Sequence, residues 1–351
     1  MPSTDIESSE SFPRFLEELD SRWLSRALNE NVLSFSAEDL GGGKGMMGDV
    51  WKLTLSLEDN GSMQVVAKFS ARRGGALPVD RRAQIFEREI GFYKEIAPLV
   101  KCRTPRIFGS WYHRDSADFL ILMEYIASDD TVSQLDGVGL DNSRQVISEL
   151  AALHLVEFGE ASPIGRLTLL CSDSRRQHQQ GFIRSGWSRL LPILDTPPGS
   201  PKSTDEIVGR VENAYKILAM QPRVLCHADL RPDNILFAPN AVGVTFIDWQ
   251  GVALGPQAWD VGYFLVQGLR PDDRLKWQSE LIDLYLFEAD PGGSRIDATM
   301  FEFCVNQMGW YSLAVACGLF TMADPSAAET LTLAKSMGSR AISSLVDSGE
   351  W

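Results

Sequence analysis

Along residues 12–30, Phe12, Phe15, Leu16, Leu19, Trp23, Ala27 and Leu28 recur at helical spacing, which predicts one amphipathic helix opening the fold. The period then changes. In VWKLTLSL, Trp51, Leu53, Leu55 and Leu57 alternate with Val50, Lys52, Thr54 and Ser56, the two-residue repeat of a strand. EDNGS follows with Asn60-Gly61, a strong hairpin signal, and MQVVAKFS reads as the returning strand. A Gly- and Arg-rich loop from Ala71 to Arg82 leads into the helical pattern AQIFEREIGFYKEIA, and DFLILMEYI is a short apolar strand. Beyond it the pattern is mostly helical, with one clear helix in SRQVISELAALHLVEF and another expected over residues 205–220. The Pro, Gly and Ser of LDTPPGSPKSTDE mark a surface loop, and VTFID is a late strand before further helices. YSLAVACGLF is too short to span a bilayer and reads as a buried helix. The expected fold class is α+β: a β-rich N-terminal lobe over residues 1–126 and a mainly helical C-terminal lobe over 127–351.

Composition narrows the partners more than the fold. The chain has 351 residues, 44% apolar and 23% charged, an ordinary globular balance with room for real cores. A net charge of −14 argues against nucleic acid, which needs a basic face, and leans slightly toward a cationic small molecule. Five widely spaced cysteines without a CxxC pair indicate neither a disulfide framework nor a zinc site, so a reducing compartment is expected. The acidic start MPSTDIESSE lacks signal-peptide character, and the expectation is a cytoplasmic protein, monomer or homodimer, with no membrane partner.

Four segments carry chemistry. In GGGKGMMGDV, Gly43, Gly45, Gly48 and Val50 match G-x-G-x-x-G-x-V, where missing side chains let backbone amides approach phosphate. A dinucleotide fold needs a helix after such glycines; here a strand and hairpin follow, as in a lid over a nucleoside triphosphate. Lys68 lies within the apolar strand VVAKFS, costly unless paired with a phosphate or a carboxylate, with Glu89 preferred over Glu87 as the acid. Val66 shares its face with Lys68 and joins Val50 as apolar cover for an adenine ring. The third segment is VLCHADLRPDNILF, reading H-x-D-L-[RK]-P-x-N, and the fourth is FIDWQG, with Asp248 fourteen residues past Asn234. A carboxylate to accept a hydroxyl proton, an amide oxygen and a second carboxylate for Mg²⁺ are what phosphoryl transfer requires.

With these motifs the chain resembles the protein-kinase-like fold, in the aminoglycoside phosphotransferase and choline kinase branch, and within it the ecdysteroid-kinase-like phosphotransferases. EREIGFYKEIAP, LAALH, VLCHADLRPDNILF and VTFIDWQGVALGPQAWDVGYFL carry the likeness, over roughly residues 38–270. The resemblance implies Asp229 as the base that orients and deprotonates a substrate hydroxyl, with Asn234 and Asp248 holding Mg²⁺ against the β- and γ-phosphates of ATP or GTP. It implies Lys68 on the α/β-phosphates and paired to Glu89, and Arg231 neutralising the γ-phosphate. LMEYI becomes the hinge, where backbone groups of Glu124 and Ile126 read the adenine edge. His227 is expected as a loop anchor and Asp260 as the tie that holds the loop down.

Departures from the protein-kinase pattern point away from a protein substrate. Ala228 replaces an arginine, Trp249-Gln250 replaces Phe-Gly, and VALGPQAWD leaves no room for a phosphorylatable loop. A small hydroxylated molecule, such as an antibiotic or other secondary metabolite, is the implied acceptor. Trp187, Trp277, Trp310 and Tyr311 read as core, with one or two available to an acceptor pocket, and His154 as a satisfied core histidine. A catalytically silent nucleotide-binding scaffold and, from the glycines, a dehydrogenase are the competing readings.

Overall fold

The computed structural model describes residues 12–40, 48–70, 79–128, 132–198, 200–201, 203–238 and 243–351. Chain contacts divide it into two units, one formed by residues 1–98 and 104–127, the other by 99–103 and 128–351.

The first unit does not open on one long helix. Residues 16–18 form a single 3-10 turn and α1 begins at Ser21, running to Leu28. Asp20 interrupts the pattern: it sits in extended conformation and its carboxylate accepts the Trp23 amide at 2.7 Å, so a cap forms where a helix interior was expected. Asn29, left-handed at φ 55°, ends the helix.

Five antiparallel strands follow: β1 Val32–Asp39, β2 Gly48–Leu57, β3 Ser62–Ser70, β4 Ile107–His113 and β5 Asp118–Glu124, in the order β1-β2-β3-β5-β4. The β2–β3 hairpin closes at the anticipated place, but Asn60 rather than Gly61 takes the left-handed position, at φ 61°. The Asp59 carboxylate accepts the Gly61 amide at 2.8 Å and fixes the turn. Leu53, Leu55, Val65, Ala67, Phe69, Leu120 and Leu122 form the core on one sheet face, covered by Leu24 of α1. The edge strands β1 and β4 carried no readable signal, since β1 has a single buried residue and β4 none but Ser110.

Helix α2, Val79–Gly91, begins inside the span expected to be loop and continues through a wider turn over Phe92–Ile96. The rest of the Gly- and Arg-rich loop lies outside the described residues.

The second unit holds α3 Leu140–His154, α4 Asp173–Leu190 and α5 Thr204–Ala219, then the short strands β6 Arg223–Cys226, β7 Ile235–Phe237, β8 Val244–Phe246 and β9 Ala253–Pro256. α6 Ala258–Gly268, α7 Pro271–Ala289, α8 Ala298–Met322 and α9 Ala328–Asp347 complete it. β6 pairs with β9 and β7 with β8, both antiparallel, so the two ladders bracket the polar stretch between Cys226 and Ile235. α8 packs on α4, α5, α6 and α9 and is the helical core. The cysteines form no disulfide, and among the described residues no helix is long and apolar enough to cross a membrane.

Candidate active site

The polar loop of the second unit is held from beneath by one carboxylate. Asp260, in the first turn of α6 and fully buried, accepts the His227 amide at 2.7 Å and the Ala228 amide at 2.8 Å. Two charge-assisted bonds to adjacent amides force a sharp turn, and Ala228 takes φ 70° to make it. A non-glycine residue there stores about 1–2 kcal/mol of strain, tolerated because Asp260 over-determines the geometry. On its other side Asp260 meets His154 at 3.4 Å, which in turn meets the Tyr285 hydroxyl at 2.7 Å. His154, Cys226 and Asp260 form the one acidic, thiol and imidazole cluster of metal-like spacing among the described residues, but His154 and Asp260 are already engaged in these bonds and the Cys226 thiol faces the Val224 and Pro256 carbonyls.

His227 is fixed by two partners of opposite demand. The Ile247 carbonyl at 2.9 Å from Nε2 requires a donor, and the Asp229 amide at 3.4 Å from Nδ1 requires an acceptor. Only the neutral tautomer with its proton on Nε2 meets both. The ring also packs on Trp249 at 4.5 Å, so His227 anchors the loop to the segment carrying Asp248. Gly251 completes the approach: a Cβ there would lie 2.9 Å from the His227 carbonyl oxygen.

Asp229 emerges from this turn with its side chain 28% exposed. The Asn234 amide nitrogen donates to the Asp229 carbonyl at 2.7 Å and to its carboxylate at 3.3 Å, which leaves the Asn234 carboxamide oxygen as the donor atom for a cation. Arg231 Nε stands 3.7 Å from Asp229, and Nη1 lies 3.3 Å from Asp233 and donates to Gln134 at 3.3 Å. Burial pushes the Asp229 carboxyl above the ordinary aspartate range, and the Asp248 carboxylate pushes the same way against Arg231. Burial opposes the Arg231 charge, yet Asp229, with Tyr263, Asp233 and Asp248, raises it further above the ordinary range.

Asp248 follows β8 in left-handed conformation, φ 62° and ψ 63°, and Gln250 donates to it at 3.4 Å. The Asp248 carboxylate raises the proton affinity of Asp229, and with the Asn234 carboxamide oxygen it offers an all-oxygen donor set that suits a hard divalent cation. The residues present therefore fit Mg²⁺.

In the first unit, Lys68 Nζ lies 2.7 and 2.8 Å from the two Glu89 oxygens, and Glu89 is buried. Glu87, the second choice, instead faces Arg114 at 3.4 Å near the surface. Val50 pairs with Lys68 across the ladder, and Val66 lies two residues along β3, so all three share the sheet face opposite the core. At Gly48 a Cβ would sit 2.7 Å from the Phe69 carbonyl oxygen, so only glycine permits this register. Gly43 and Gly45 lie outside the described residues. The Glu124 amide is committed to the Arg106 carbonyl at 2.8 Å, whereas Ile126, just past β5, has no backbone hydrogen bond among the described residues.

Gln134 escaped the sequence reading. It is 2% exposed, and its side-chain nitrogen donates to Gln267 at 3.2 Å while its oxygen accepts from Arg231. Gln267 is in turn held by the Met337 carbonyl at 3.2 Å and by Arg340 at its own carbonyl. Nothing in the sequence flags an isolated glutamine whose partners are brought to it only by packing.

The phosphotransferase enzyme family model matches residues 57–296. The fold is similar to that of the gentamicin–APH(2″)-IIa complex, at 15% identity and TM-score 0.54, covering 93% of this chain and 99% of that one. It is similar to macrolide 2′-phosphotransferase MphH from Brachybacterium faecium, at 18% identity and TM-score 0.50, over 90% and 96% of the two chains. Ethanolamine kinase of Plasmodium vivax aligns at 12% identity and TM-score 0.54, over 91% and 85%. No curated protein matches the sequence. The strand and hairpin after Gly48, in place of a helix, remove the dehydrogenase reading.

Proposed function

Since this chain belongs to the phosphotransferase enzyme family, we propose that it moves the γ-phosphate of a Mg-bound ATP or GTP to a hydroxyl of a small molecule. One observation carries this reading: Asp229, Asn234, Arg231 and the Asp248 field meet in one loop cluster that a buried carboxylate, Asp260, holds rigid.

In this mechanism the Asp229 carboxylate accepts a hydrogen bond from the acceptor hydroxyl and takes its proton as the oxygen attacks phosphorus. The new P–O bond forms as the bond to the β-bridging oxygen breaks, and the nucleoside diphosphate leaves. A carboxyl raised by burial is a stronger base than a solvated one, which suits proton removal near neutral pH. Asn234, through its carboxamide oxygen, and Asp248 would hold Mg²⁺, which neutralises developing phosphate charge when bound. Arg231 is proposed to add positive charge beside the transferring group. Lys68, held by Glu89, is proposed to meet the α/β-phosphates, with Val50 and Val66 covering the base and the backbone of Glu124 and Ile126 at its edge.

Incubation with Mg-ATP or Mg-GTP and hydroxylated compounds, followed by mass spectrometry, tests the reading through addition of one phosphate. Asp229→Ala should keep Mg-nucleotide binding by calorimetry and lose transfer. Undiminished turnover in that variant would remove Asp229 from the mechanism. A wild type that binds Mg-nucleotide and phosphorylates nothing would return the protein to the silent-scaffold reading.

A further inference from the structure

On α6, whose first turn clamps the Asp229 loop, the helical unit carries an aromatic cluster, and a cation stands on a helix packed nearby. Tyr311, on α8, is half-exposed, and its ring lies 4.5 Å from Trp259 and 5.3 Å from Tyr263, both buried on α6. Trp259 is backed in turn by Tyr215 of α5, edge-on at 5.7 Å. Burial raises the Tyr311 and Tyr263 phenols, and the Asp229 carboxylate is the next influence on both, which sets this face within the field of the loop cluster.

On α4, which packs on both α5 and α8, Arg175 is half-buried and meets no carboxylate among the described residues. Its guanidinium donates to the Thr168 hydroxyl at 3.5 Å. Thr168 is itself pinned to the β6–β9 ladder, its carbonyl accepting the Leu254 amide at 2.9 Å. The neighbouring arginines differ. Arg176 pairs with Asp173 at 2.9 Å and Glu212 at 3.2 Å, and Arg184 with Asp205 at 2.8 Å. After burial and Asp229, Arg175 is the charge that acts on Tyr311, in the opposite sense, and it also acts on Tyr215. The half-buried tyrosine thus packs on the helix whose Asp260 clamps the Asp229 loop, while the guanidinium stands on a helix packed against its own.

A half-buried guanidinium without an acid partner is satisfied by an oxyanion and repels an ammonium. We infer that the acceptor is a flat, hydroxylated molecule carrying a carboxylate or similar oxyanion, its body on Tyr311, its anion at Arg175 and its hydroxyl toward Asp229. This rests on the phosphotransferase reading for the role of Asp229, and it departs from the cationic acceptor toward which the net charge leaned. The negative total is spread over the surface, whereas recognition depends on the few charges that border the bound molecule.

Binding of three matched probes tests the assignment without requiring catalysis: para-hydroxymethyl benzoate, its neutral methyl ester, and para-aminomethyl benzyl alcohol, titrated by saturation-transfer NMR. The benzoate should bind about tenfold or more tighter than the amine, with the ester between them. Arg175→Gln should collapse that ratio toward one with an unchanged melting temperature, while Tyr311→Ala weakens all three by a similar factor. An amine that binds as well as the benzoate, a ratio that survives Arg175→Gln, or a wild type that binds none of the three overturns the inference. If the benzoate binds through Arg175 but neither Mg-ATP nor Mg-GTP ever yields a phosphoester, the phosphotransferase reading fails and the anion site stands.

Discussion

Gln134 and Arg231 lie 97 residues apart in sequence and meet at 3.3 Å, the glutamine oxygen accepting from the guanidinium. Because the Gln134 nitrogen is occupied by Gln267, this amide has one orientation open to it, and Arg231 inherits that orientation.

Replacing Gln134 by leucine should therefore act on Arg231 and, through it, on Asp229. Loss of the tether weakens the opposing charge that restrains the Asp229 carboxyl, so the acid limb of the pH–rate profile moves to higher pH. Buried Gln267 and half-buried Arg231 each lose a hydrogen bond, which costs about 1–3 kcal/mol of stability by urea denaturation. A variant with that stability loss and an unmoved acid limb would reduce Gln134 to a structural residue.

Asp260→Asn keeps the shape of the clamp but turns an NH₂ group toward the His227 or Ala228 amide. A donor facing a buried donor costs about 1–3 kcal/mol, and the left-handed Ala228 is released with it. Thermal melting should fall and phosphate transfer should drop further than stability alone accounts for. If turnover per folded molecule stays at the wild-type value, the clamp does not set the position of Asp229.

Lys68→Met removes the ammonium that meets both Glu89 oxygens in a nearly dry setting. Breaking a buried pair from one side costs about 3–5 kcal/mol, whereas removing both charges costs less. Lys68→Met/Glu89→Gln should accordingly unfold at higher denaturant than Lys68→Met alone. A double variant weaker than the single one would contradict the pairing.

The raised Asp229 carboxyl has a stability consequence of definite sign. Its folded form holds the proton more tightly than the unfolded chain, so stability is lost as pH rises from the ordinary aspartate range through the folded value. Asp229→Asn should melt above the wild type at neutral pH in metal-free buffer, with the gap closing below about pH 4, near the ordinary aspartate value. A wild type more stable than the variant at neutral pH would reverse the assigned shift.

Much of the candidate site was legible because its parts are local. His227, Asp229, Arg231 and Asn234 fall within eight consecutive residues, and a short polar loop between two apolar strands has few ways to fold. The strand alternation around Lys68 likewise fixed which face it shares with Val50 and Val66. Edge strands escaped: β1 and β4 bury too little for hydrophobic periodicity to register.

The sequence alone thus determined the central strands, the main helices and the polar loop between apolar strands, since period and turn composition are properties of neighbouring residues. The tertiary structure alone decided the partners the sequence does not name: Gln134 behind Arg231, Asp233 beside it and, among the described residues, no acid opposite Arg175. Those outcomes depend on which helices pack together. A hydrogen bond of about 3 Å cannot be read from residues a hundred positions apart until burial has fixed their backbones.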